Sequence, residues 1–261
     1  MRLNEPKLKN KYYGPMKCKL PVRKGEYQMT KTALVTGANK GIGYEISKHL
    51  LEEGFRVLVG ARDQERGEIA VSSLRAFGDA HLVSLDVADL NSIDCAVTTI
   101  KNNYPELSLL VNNAGIPGDM HQAGWEFSVE DLQATHQVNF IGPFALSKGL
   151  LPLLTANKGT IQNISIPIEP LPYFNAFAYA TSKAPLNVMT KSWGMSFEKE
   201  NIPVEIFAVM PGAVSTDLNG RMTGDFVKTS AQAAELIVNF VLDDENHNGQ
   251  VINYDGTLAV Y

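Results

Sequence analysis

Tyr179 and Lys183 are the two residues of this sequence whose types and spacing point most directly to chemistry. They stand four positions apart in Tyr-Ala-Thr-Ser-Lys, within a stretch that reads as helix, so one turn separates them and both side chains share a face. An ammonium group beside a phenol stabilises the phenolate, and we therefore expect Lys183 to lower the pKa of Tyr179. A tyrosine that exchanges a proton near neutral pH suits carbonyl reduction or alcohol oxidation. Taken alone, the same spacing also fits a surface tyrosine and a solvated lysine.

A glycine-rich turn at residues 37–43 is the second chemical feature. Its glycines have the spacing Gly-x-x-x-Gly-x-Gly, between a β-branched apolar run and an amphipathic stretch. Glycines in a strand-to-helix turn allow the backbone to approach a phosphate, and the helix N-terminus offers free N–H groups and a positive dipole end. Such turns also serve packing alone, but the position of this one at the start of an alternating chain favours a pyrophosphate site.

Short apolar runs alternate with amphipathic stretches of helical length from residue 32 onward. The runs predict strands at residues 33–36, 56–60, 81–85, 107–111, 159–164, 204–210 and 250–253, and the stretches predict helices that include residues 42–53, 64–77 and 93–103. Strands that alternate with helices indicate right-handed βαβ units. The sequence therefore predicts a single Rossmann-type, doubly wound α/β domain, with a parallel sheet of about seven strands and helices on both faces.

Two further helices carry visible signals. Ser128, followed by acidic residues, fits an N-cap. That helix continues through Pro143, which has no N–H, so the carbonyl of Asn139 four residues back lacks its helical donor and needs another one. The second helix is predicted from about residue 175 to residue 199, and it holds the tyrosine–lysine pair.

The composition is that of an ordinary globular protein. The 261 residues are 44% apolar and 20% charged, with a net charge of -5, and we expect no membrane-spanning segment. The two cysteines, Cys18 and Cys95, have no metal-ligand spacing and are too few for a disulfide framework, which favours a reducing cytoplasm. The five histidines show no metal-ligand spacing either, so no metal site is predicted.

Positive charge is concentrated in the first segment. Residues 1–28 hold eight Lys or Arg and two acidic residues, a net charge of +6, so the rest of the chain carries -11. The segment has no clear helical or strand period and no apolar core of the kind found in secretory signals. We interpret residues 1–28 as a flexible extension and residues 29–261 as the domain, with a basic arm for an anionic surface as the alternative. Nucleic-acid binding is disfavoured because the domain is acidic.

Seven separate motifs, in order along the chain, resemble those of the short-chain dehydrogenase/reductase family. They are residues 36–43, Asp86-Val87, residues 112–115, Asn139, Asn163-Ile-Ser165, Tyr179-x-x-x-Lys183 and residues 211–216. The resemblance covers residue 32 to about residue 255, and the glycine-rich turn is most similar to that of the small NADPH-dependent carbonyl reductases. It implies an oxidoreductase that transfers hydride between NADP(H) and a small carbonyl or alcohol substrate.

The resemblance also implies which residues bind the cofactor. Asp86 is expected to accept a hydrogen bond from the adenine amino group, with Val87 packed beside it, and Thr216 is expected to bond the nicotinamide carboxamide. A capping aspartate and a local turn hydroxyl are the structural alternatives for Asp86 and Thr216. The full expected set is Gly37, Asn39, Lys40, Gly41, Ile42, Gly43, Arg62, Asp86, Val87, Asn113, Ala114, Gly115, Tyr179, Lys183, Pro211, Gly212, Val214 and Thr216.

The choice between NADP(H) and NAD(H) is argued from charge. An acidic side chain at the end of the second strand binds the ribose hydroxyls of NAD and repels the 2′-phosphate of NADP. Here Arg62 stands near that place and Lys40 lies in the glycine-rich turn, and two cations beside one phosphate favour NADP(H). We expect Asp63 to point away from Arg62. Two solvated surface cations are the alternative interpretation.

The catalytic roles follow from the same resemblance. Tyr179 is the general acid/base, and Lys183 lowers its pKa and holds the nicotinamide ribose. Asn139 holds a proton-relay water on the main-chain carbonyl that Pro143 leaves without a donor. A serine hydroxyl, for which Ser165 is the candidate, orients the substrate carbonyl and stabilises the charge that builds there.

The serine is the member at which this sequence departs from the family pattern. Members often carry two serines after Asn-Ile, the second of which acts, but here the pair reads Ser165-Ile166. Ungapped counting back from Tyr179 puts Ile166 in the catalytic place. We expect a loop one residue longer at 167–178, so that Ser165 still reaches the substrate. The alternative is a weakly active or inactive NADP(H)-binding regulator or redox sensor.

Several segments are candidates for the substrate pocket and for assembly. Met120, Trp125 and residues 171–174 are candidate pocket-lining residues, and residues 217–228 resemble the mobile substrate lid of the family. The family resemblance further implies a homodimer or homotetramer, paired through the helices that hold Asn139 and Tyr179. The substrate itself stays open, including a defined metabolic alcohol or an acyl-carrier substrate.

Overall fold

The computed structural model of the chain describes residues 31–170 and 176–259, so the predicted boundary between residues 28 and 29 lies outside the described part. Within these ranges the strands β1–β7 are Thr32–Thr36, Arg56–Ala61, Ala80–Ser84, Leu107–Asn112, Thr160–Ile164, Glu205–Met210 and Val251–Asn253. The helices α1–α7 are Gly41–Glu52, Gln64–Leu74, Leu90–Asn103, Val129–His136, Gly142–Ala156, Phe177–Glu200 and Ser230–Leu242.

The seven described strands form one sheet in the order β3-β2-β1-β4-β5-β6-β7. Every neighbouring pair is parallel. The predicted Rossmann-type architecture is confirmed, and each predicted strand is present with its ends displaced by at most one residue. Among the helices, α2 ends at Leu74, three residues earlier than predicted.

Alternate residues of the central strands enter two separate cores. Ala33 and Val35 of β1 pack with side chains of α1, α2 and α7 on one face of the sheet. Leu34, between them, packs with side chains of α3, α5 and α6 on the other face. Because both faces are covered, the strands are nearly continuous apolar runs, as expected for a parallel sheet.

The carboxyl ends of the strands define where a ligand site forms. The chain runs outward from β1 to β3 on one side and then crosses to β4 on the other side of β1. In open α/β sheets, ligands bind at the carboxyl edge where the strand order reverses in this way. The loops after β1, β4, β5 and β6 all lie at that edge, and they carry most of the predicted site residues.

Capping side chains decide where two of the helices begin. Oγ of Ser128 accepts a hydrogen bond from the N–H of Asp131 at 3.0 Å, so the predicted N-cap of α4 is present. Oδ1 of Asp89 accepts from the N–H of Asn91 at 2.9 Å. This cap starts α3 at Leu90, three residues earlier than the apolar period alone had predicted.

The helix that was predicted to run through Pro143 consists of α4 and α5 joined by a π turn. The turn spans Gln137–Ile141, and in it the N–H of Gly142 donates to the carbonyl of Gln137, five residues back. Pro143 cannot donate to the carbonyl of Asn139. Because the π turn lies just before Pro143, the helical backbone continues into α5 although the proline lacks an N–H group. π turns within helices are frequent at functional sites.

The stretch Val129–Ala156 is long enough to cross a membrane, and an 18-residue window within it is apolar enough, with a mean hydropathy of 1.2. The expectation that the chain has no membrane-spanning segment stays a prediction, because length and composition alone do not test it. In the fold this stretch packs against α3, α6 and β4.

Candidate active site

The glycine-rich turn lies against the loop that follows β4. Gly37 and Gly41 have φ angles of +65° and +60°, in the left-handed region that glycine adopts without strain. A Cβ on Gly43 would lie 2.5 Å from Nδ2 of Asn113 and 2.7 Å from the carbonyl oxygen of Gly37. Side-chain carbon does not approach other atoms so closely, so the turn requires glycine at these positions.

Thr36, the last residue of β1, holds the two loops together. Its Oγ1 accepts from the N–H groups of Asn113 and Ala114, both at 3.0 Å. Nδ2 of Asn113 donates in turn to the Thr36 carbonyl at 2.8 Å. The sequence analysis included Asn113 and Ala114 as cofactor ligands but missed that Thr36 positions both. A buried hydroxyl at the end of an otherwise apolar strand was the available signal.

The geometry of this turn fits a pyrophosphate group. Lys40, the N-cap residue of α1, makes no side-chain capping hydrogen bond, so no capping side chain occupies the first N–H groups of α1. No described atom outside the local chain lies within 4 Å of the position that a Cβ on Gly41 would take. Free N–H groups and a positive dipole end beside open space make an anion site, and Asn39 and Ile42 lie on the same turn.

Lys40 is engaged in an ion pair in this conformation. Its Nζ lies 2.8 Å from Oδ2 of Asp217, and Nε of Arg221 donates to Oδ1 of the same carboxylate at 3.0 Å. The Lys40 ammonium and then the Arg221 guanidinium hold the pKa of Asp217 below its ordinary value. The ion pair links the glycine-rich turn to residues 217–228, called the lid segment below. Lys40 must leave Asp217 before it can contact a phosphate.

Arg62 follows directly on β2, and its side chain is exposed. The neighbouring Asp63 caps α2, since its Oδ1 accepts from the N–H of Arg66 at 2.9 Å and its Oδ2 lies 3.6 Å from Nε of Arg66. The carboxylate of Asp63 is thus committed to its own helix, as expected. Within residues 31–170 and 176–259, Arg62 makes no ion pair.

Asp86 lies two residues beyond β3 and not at its end. Its Oδ1 accepts from the N–H of Ala88 at 2.9 Å, and its own N–H donates to Oγ of Ser92 at 2.9 Å. Val87 is buried, and its carbonyl would lie 2.1 Å from a Cβ on Gly142, which fixes this loop against α5. Oδ1 of Asp86 therefore closes a local turn with Ala88, while its second carboxylate oxygen makes no hydrogen bond to any described residue.

The segment after β6 is braced by Lys228. Nζ of Lys228 donates to the Pro211 carbonyl at 3.2 Å and lies 3.9 Å from the centre of the Tyr254 ring. Backbone hydrogen bonds join Lys228 to Ala213 and Ser215. Burial lowers the pKa of Lys228. The predicted ligands in this braced segment are Pro211, Gly212, Val214 and Thr216.

Asn139 joins the loop after β4 to α6. Its Oδ1 accepts from the N–H of Ile116 at 2.9 Å, and its Nδ2 donates at 2.8 Å both to the Ile116 carbonyl and to Oγ of Ser182. A Cβ on Gly115 would lie 3.1 Å from Oδ1 of Asn139 and 3.7 Å from Nζ of Lys183. Because Gly115 has no side chain, Asn139 and Lys183 can both come close to its backbone. The hydrogen bonds of the Asn139 side chain to Ile116 hold the loop in that position.

Tyr179 and Lys183 lie one turn apart on α6, which was predicted to start near residue 175 and begins, in the described chain, at Phe177. Lys183 is only 1% exposed, and its Nζ donates to the carbonyl of Ile164, at the end of β5, at 2.8 Å. Tyr179 is half-buried. Nζ of Lys183 lies 5.9 Å from the centre of the Tyr179 ring.

Burial dominates the pKa values of this pair. Desolvation raises the pKa of Tyr179 to about 12 and lowers the pKa of Lys183 to about 8. Tyr179 is only half-buried by exposed area, but the packed atoms around it outweigh that exposure. The prediction that Lys183 lowers the pKa of Tyr179 is wrong for this conformation, because the ammonium is bonded to Ile164 and its attraction does not offset desolvation. The phenol is protonated at neutral pH, which is the state of a proton donor.

Ser165 is turned into the core. It is 1% exposed, its Oγ donates to Oδ1 of Asn187 at 2.6 Å, and its N–H donates to the carbonyl of Val209 in β6. Since the ladder continues through Ser165, side-chain alternation places the half-buried Ile166 on the opposite side of the chain. The prediction that Ser165 reaches the substrate oxygen is wrong for this conformation, because a buried hydrogen bond holds its hydroxyl against α6.

Two residues of α6 belong to this region but were not singled out from the sequence. Ser182 accepts from Asn139, and Asn187 accepts from Ser165. Asn187 continues the spacing of four residues that starts with the tyrosine–lysine pair, so three functional groups share one helix face. From this spacing of four residues, the sequence could have predicted that Asn187 lies on the same helix face as Tyr179 and Lys183. Nothing comparable marks Ser182.

The described residues thus combine a glycine-rich turn at a helix N-terminus with a protonated phenol and a buried ammonium at the same edge of the sheet. This arrangement can bind a dinucleotide and donate a proton to a molecule held beside it. The predicted apolar wall at residues 171–174 lies outside the described residues. Among the residues that the structure describes, no group of three or more His, Cys, Asp or Glu could hold a metal ion.

Comparisons with known proteins agree with this arrangement. Residues 31–225 match the family model for short chain dehydrogenases. The 2,5-dichloro-2,5-cyclohexadiene-1,4-diol dehydrogenase LinX of Sphingobium indicum is 31% identical over 201 residues, which are 76% of this chain and 78% of LinX. The 3-oxoacyl-(acyl-carrier-protein) reductase FabG of Staphylococcus aureus is 30% identical over 206 residues, 76% of this chain and 80% of FabG.

A solved structure shows the same architecture over almost its whole length. The crystal structure of NADPH-bound carbonyl reductase from chicken fatty liver superposes with a TM-score of 0.79 at 27% sequence identity. The superposition covers 89% of this chain and 99% of the chicken protein.

Proposed function

Because the chain belongs to the short-chain dehydrogenase family, we propose that it transfers hydride between NADP(H) and a carbonyl or alcohol substrate, with Tyr179 as general acid/base. The observation that carries the proposal is the meeting of α6 with the loop after β4. Lys183, one turn from Tyr179, and Asn139 converge on Gly115, at the sheet edge that also holds the glycine-rich turn.

The residues at this edge fit NADP(H), whose nicotinamide supplies or accepts the hydride when the cofactor is bound. The turn at residues 37–43 and the N-terminus of α1 would hold the pyrophosphate. Arg62, and Lys40 once it leaves Asp217, would hold the 2′-phosphate. The bound NADPH of the chicken carbonyl reductase supports this choice. The remaining residues that we propose for cofactor binding are Asp86, Val87, Asn113, Ala114, Gly115, Tyr179, Lys183, Pro211, Gly212, Val214 and Thr216.

Tyr179 is proposed to give its phenolic proton to the substrate oxygen. A pKa of about 12 keeps that proton in place at neutral pH, which supports carbonyl reduction as the direction favoured there. Lys183, with a pKa of about 8, is mostly charged at pH 7, and it would stabilise the phenolate once its ammonium leaves the carbonyl of Ile164. A water on the main-chain carbonyl of Asn139 would then return a proton towards Tyr179 through Lys183.

A second candidate function follows from Ser165 and Ile166. Ser165 points into the core and Ile166 offers no hydrogen-bond donor, so Tyr179 would polarise the substrate carbonyl without help from a serine. Removal of one donor from such a site typically slows the chemical step by about 10²–10³-fold. A weakly active or inactive NADP(H)-binding regulator is therefore the alternative to an enzyme.

One assay separates the two candidates. Oxidation of NADPH and of NADH is followed with a panel of aldehydes and ketones, and binding of both cofactors is measured by nicotinamide fluorescence. The proposal expects turnover with NADPH, slower turnover with NADH, and a loss of NADPH affinity of about tenfold or more in Arg62→Ala. Tight NADPH binding without turnover on any substrate favours the regulator, and tighter NADH binding contradicts the choice of cofactor.

A further inference from the structure

Lys228, the last residue of the lid segment, makes contacts along the whole segment that follows β6. Its main-chain N–H donates to the carbonyl of Ala213 at 2.9 Å, and its carbonyl accepts from the N–H of Ser215 at 2.9 Å. Its side chain reaches further back, because Nζ donates to the carbonyl of Pro211 at 3.2 Å. One residue therefore fixes the segment 211–216, which holds the proposed ligands of the nicotinamide end of the cofactor.

The Lys228 ammonium also contacts an aromatic ring and a glycine backbone. Nζ lies 3.9 Å from the centre of the Tyr254 ring, which is the geometry of a cation–π contact. A Cβ on Gly212 would lie 3.2 Å from Nζ and 3.2 Å from Cδ1 of the same ring. Gly212 has a φ angle of +78°, which glycine adopts without strain. The ammonium and the ring together therefore support the backbone of the turn at Gly212.

Tyr254 is presented to Lys228 by a turn that follows β7 directly. The N–H of Asn253 donates to the carbonyl of Thr257 at 2.8 Å and closes the turn. Oδ1 of Asp255 accepts from the N–H of Thr257 at 3.1 Å and from its Oγ1 at 2.7 Å. Because these hydrogen bonds fix the backbone on both sides of Tyr254, the ring has a defined place against Lys228.

The charge of Lys228 is directed at a carbonyl and a ring. The residue is half-buried, and within the described part of the chain its ammonium forms no ion pair. Burial lowers the pKa of Lys228, and the carboxylate of Asp255 acts in the opposite direction. A cation that loses part of its hydration needs other partners, and here these are the Pro211 carbonyl and the Tyr254 ring. The removal of either partner should therefore loosen the contact between the two segments.

We propose that Lys228 and Tyr254 are positioning residues, which hold residues 211–216 in the geometry that receives the nicotinamide end of NADP(H). The inference rests on the proposed function, because it requires the cofactor to lie along this segment. It gives the turn after β7 a part in cofactor binding. Both residues act through the main chain of residues 211–216, so they affect the nicotinamide end and not the adenosine end, which is assigned to the glycine-rich turn and Arg62.

Two ligands separate the two ends of the cofactor in a binding experiment. NADPH has both ends, whereas 2′-phospho-ADP-ribose lacks the nicotinamide and keeps the adenosine, the 2′-phosphate and the pyrophosphate. In Lys228→Met we expect the Kd of NADPH to rise by about tenfold, because a hydrogen bond from a charged donor is lost. The Kd of 2′-phospho-ADP-ribose should change by less than about twofold. Lys228→Arg keeps the charge and the donors and should restore most of the NADPH affinity. Titration calorimetry measures both ligands.

A pair of variants at Tyr254 tests the aromatic contact separately. Tyr254→Phe keeps the ring face and should bind NADPH as the wild type does. Tyr254→Leu removes the ring and should raise the Kd of NADPH by about threefold, with the Kd of 2′-phospho-ADP-ribose unchanged. Lys48→Met is the matched control, because Nζ of Lys48 lies 4.7 Å from the ring of Phe77 in a second cation–π pair outside the proposed site. It should change neither affinity.

The proposed function and the positioning role fail in different ways. If the wild-type protein binds neither NADPH nor 2′-phospho-ADP-ribose, the proposed function fails and the positioning role fails with it. If the wild type binds both but Lys228→Met binds NADPH equally well, or loses both ligands to the same extent, the proposed function stands and the positioning role is overturned. If Lys228→Met does not fold, the comparison of Tyr254→Leu with Tyr254→Phe decides by the same criteria.

Discussion

Desolvation of Lys183 has a consequence for stability that can be measured. Its pKa is 10.5 in an unfolded chain and about 8 in the fold, so the folded state binds fewer protons between these two values. The free energy of unfolding contributed by this residue therefore rises with pH across that window. Tyr179 acts in the opposite direction above pH 10, because its folded pKa of about 12 exceeds its ordinary value of 10.0.

Lys183→Met should remove this pH dependence. We expect the difference in unfolding free energy, wild type minus variant, to rise by about 2 kcal/mol from pH 8 to pH 10, as the wild type loses the penalty for a buried charge. Urea unfolding at several pH values measures it, and the loss of the hydrogen bond to Ile164 cancels because only the change with pH is used. A difference that stays constant would contradict the buried, pKa-shifted lysine.

Ser165→Ala should leave catalysis almost unchanged and lower stability. The substitution removes one buried hydrogen bond to Asn187, worth about 1 kcal/mol, and takes nothing from the cleft. Thermal unfolding and kcat with NADPH measure the two effects. A fall in kcat of a hundredfold at unchanged NADPH affinity would instead give Ser165 the role of orienting the substrate carbonyl.

Ile166→Ser is the complementary variant. It places a hydroxyl on the side of the chain opposite to Ser165, where the family pattern has its acting serine. We expect kcat to rise by about tenfold or more, because a new donor meets the charge that develops on the substrate oxygen. An unchanged kcat would indicate that residue 166 does not face the substrate.

At the level of elements, the lid segment and the glycine-rich turn are coupled through Asp217. Its carboxylate holds Lys40 at 2.8 Å, and both groups are exposed. Exposed ion pairs of this kind are screened by solvent and contribute little to stability. The pair can therefore open readily, and under the proposed function it would compete with the 2′-phosphate for the Lys40 ammonium.

Asp217→Asn should therefore bind NADPH more tightly, by up to about fivefold, while the affinity for NADH stays unchanged. Fluorescence titration of both cofactors measures this at low salt. Arg221→Gln is the control, because it removes a second cation from Asp217 without touching Lys40. Weaker NADPH binding in Asp217→Asn would show that Asp217 supports the site and does not compete for it.

The sequence predicts the elements well wherever one local pattern decides them. All seven strands lie within one residue of their predicted ends, because a sheet buried on both faces leaves apolar runs that stop at polar residues. The π turn at Gln137–Ile141 was not predicted. The apolar period does not show whether an N–H donates to the carbonyl four residues back or to the one five residues back. The pair between Lys40 and Asp217 joins positions 177 residues apart, and no local pattern reports such a contact.

The candidate site shows the same division. The glycine spacing, the tyrosine–lysine pair and Asn139 were readable because a helix or a turn fixes their geometry locally. The direction of the Tyr179 pKa shift and the inward orientation of the Ser165 side chain could not be predicted from the sequence. Both depend on how many atoms of β5, β6 and α6 surround each group, which is a property of packing.

At the scale of the whole molecule, several apolar side chains stand exposed on the helices that hold Asn139 and Tyr179. They are Val129, Ile141, Val188 and Met195, which are 64%, 37%, 66% and 72% exposed. Their placement agrees with the proposed pairing of two chains through these helices, since such a contact would remove them from water.

Val188→Glu together with Met195→Glu should therefore convert an oligomer into a single chain. A charge buried in a two-fold interface meets its own copy or an apolar surface, and either is unfavourable. Sedimentation at several concentrations measures the mass. Ile69→Glu, on the exposed side of α2, should leave the mass unchanged, and a wild-type protein that sediments as one chain would contradict the proposed assembly.

The central claim is that Tyr179 donates the proton in an NADPH-dependent reduction. The most direct measurement is NADPH oxidation by wild type and Tyr179→Phe on the same aldehyde, with NADPH affinity measured in parallel. We predict that kcat falls by at least about a hundredfold, while NADPH affinity and the folded structure are retained. Equal turnover by the two proteins would contradict the assignment of Tyr179 as the proton donor.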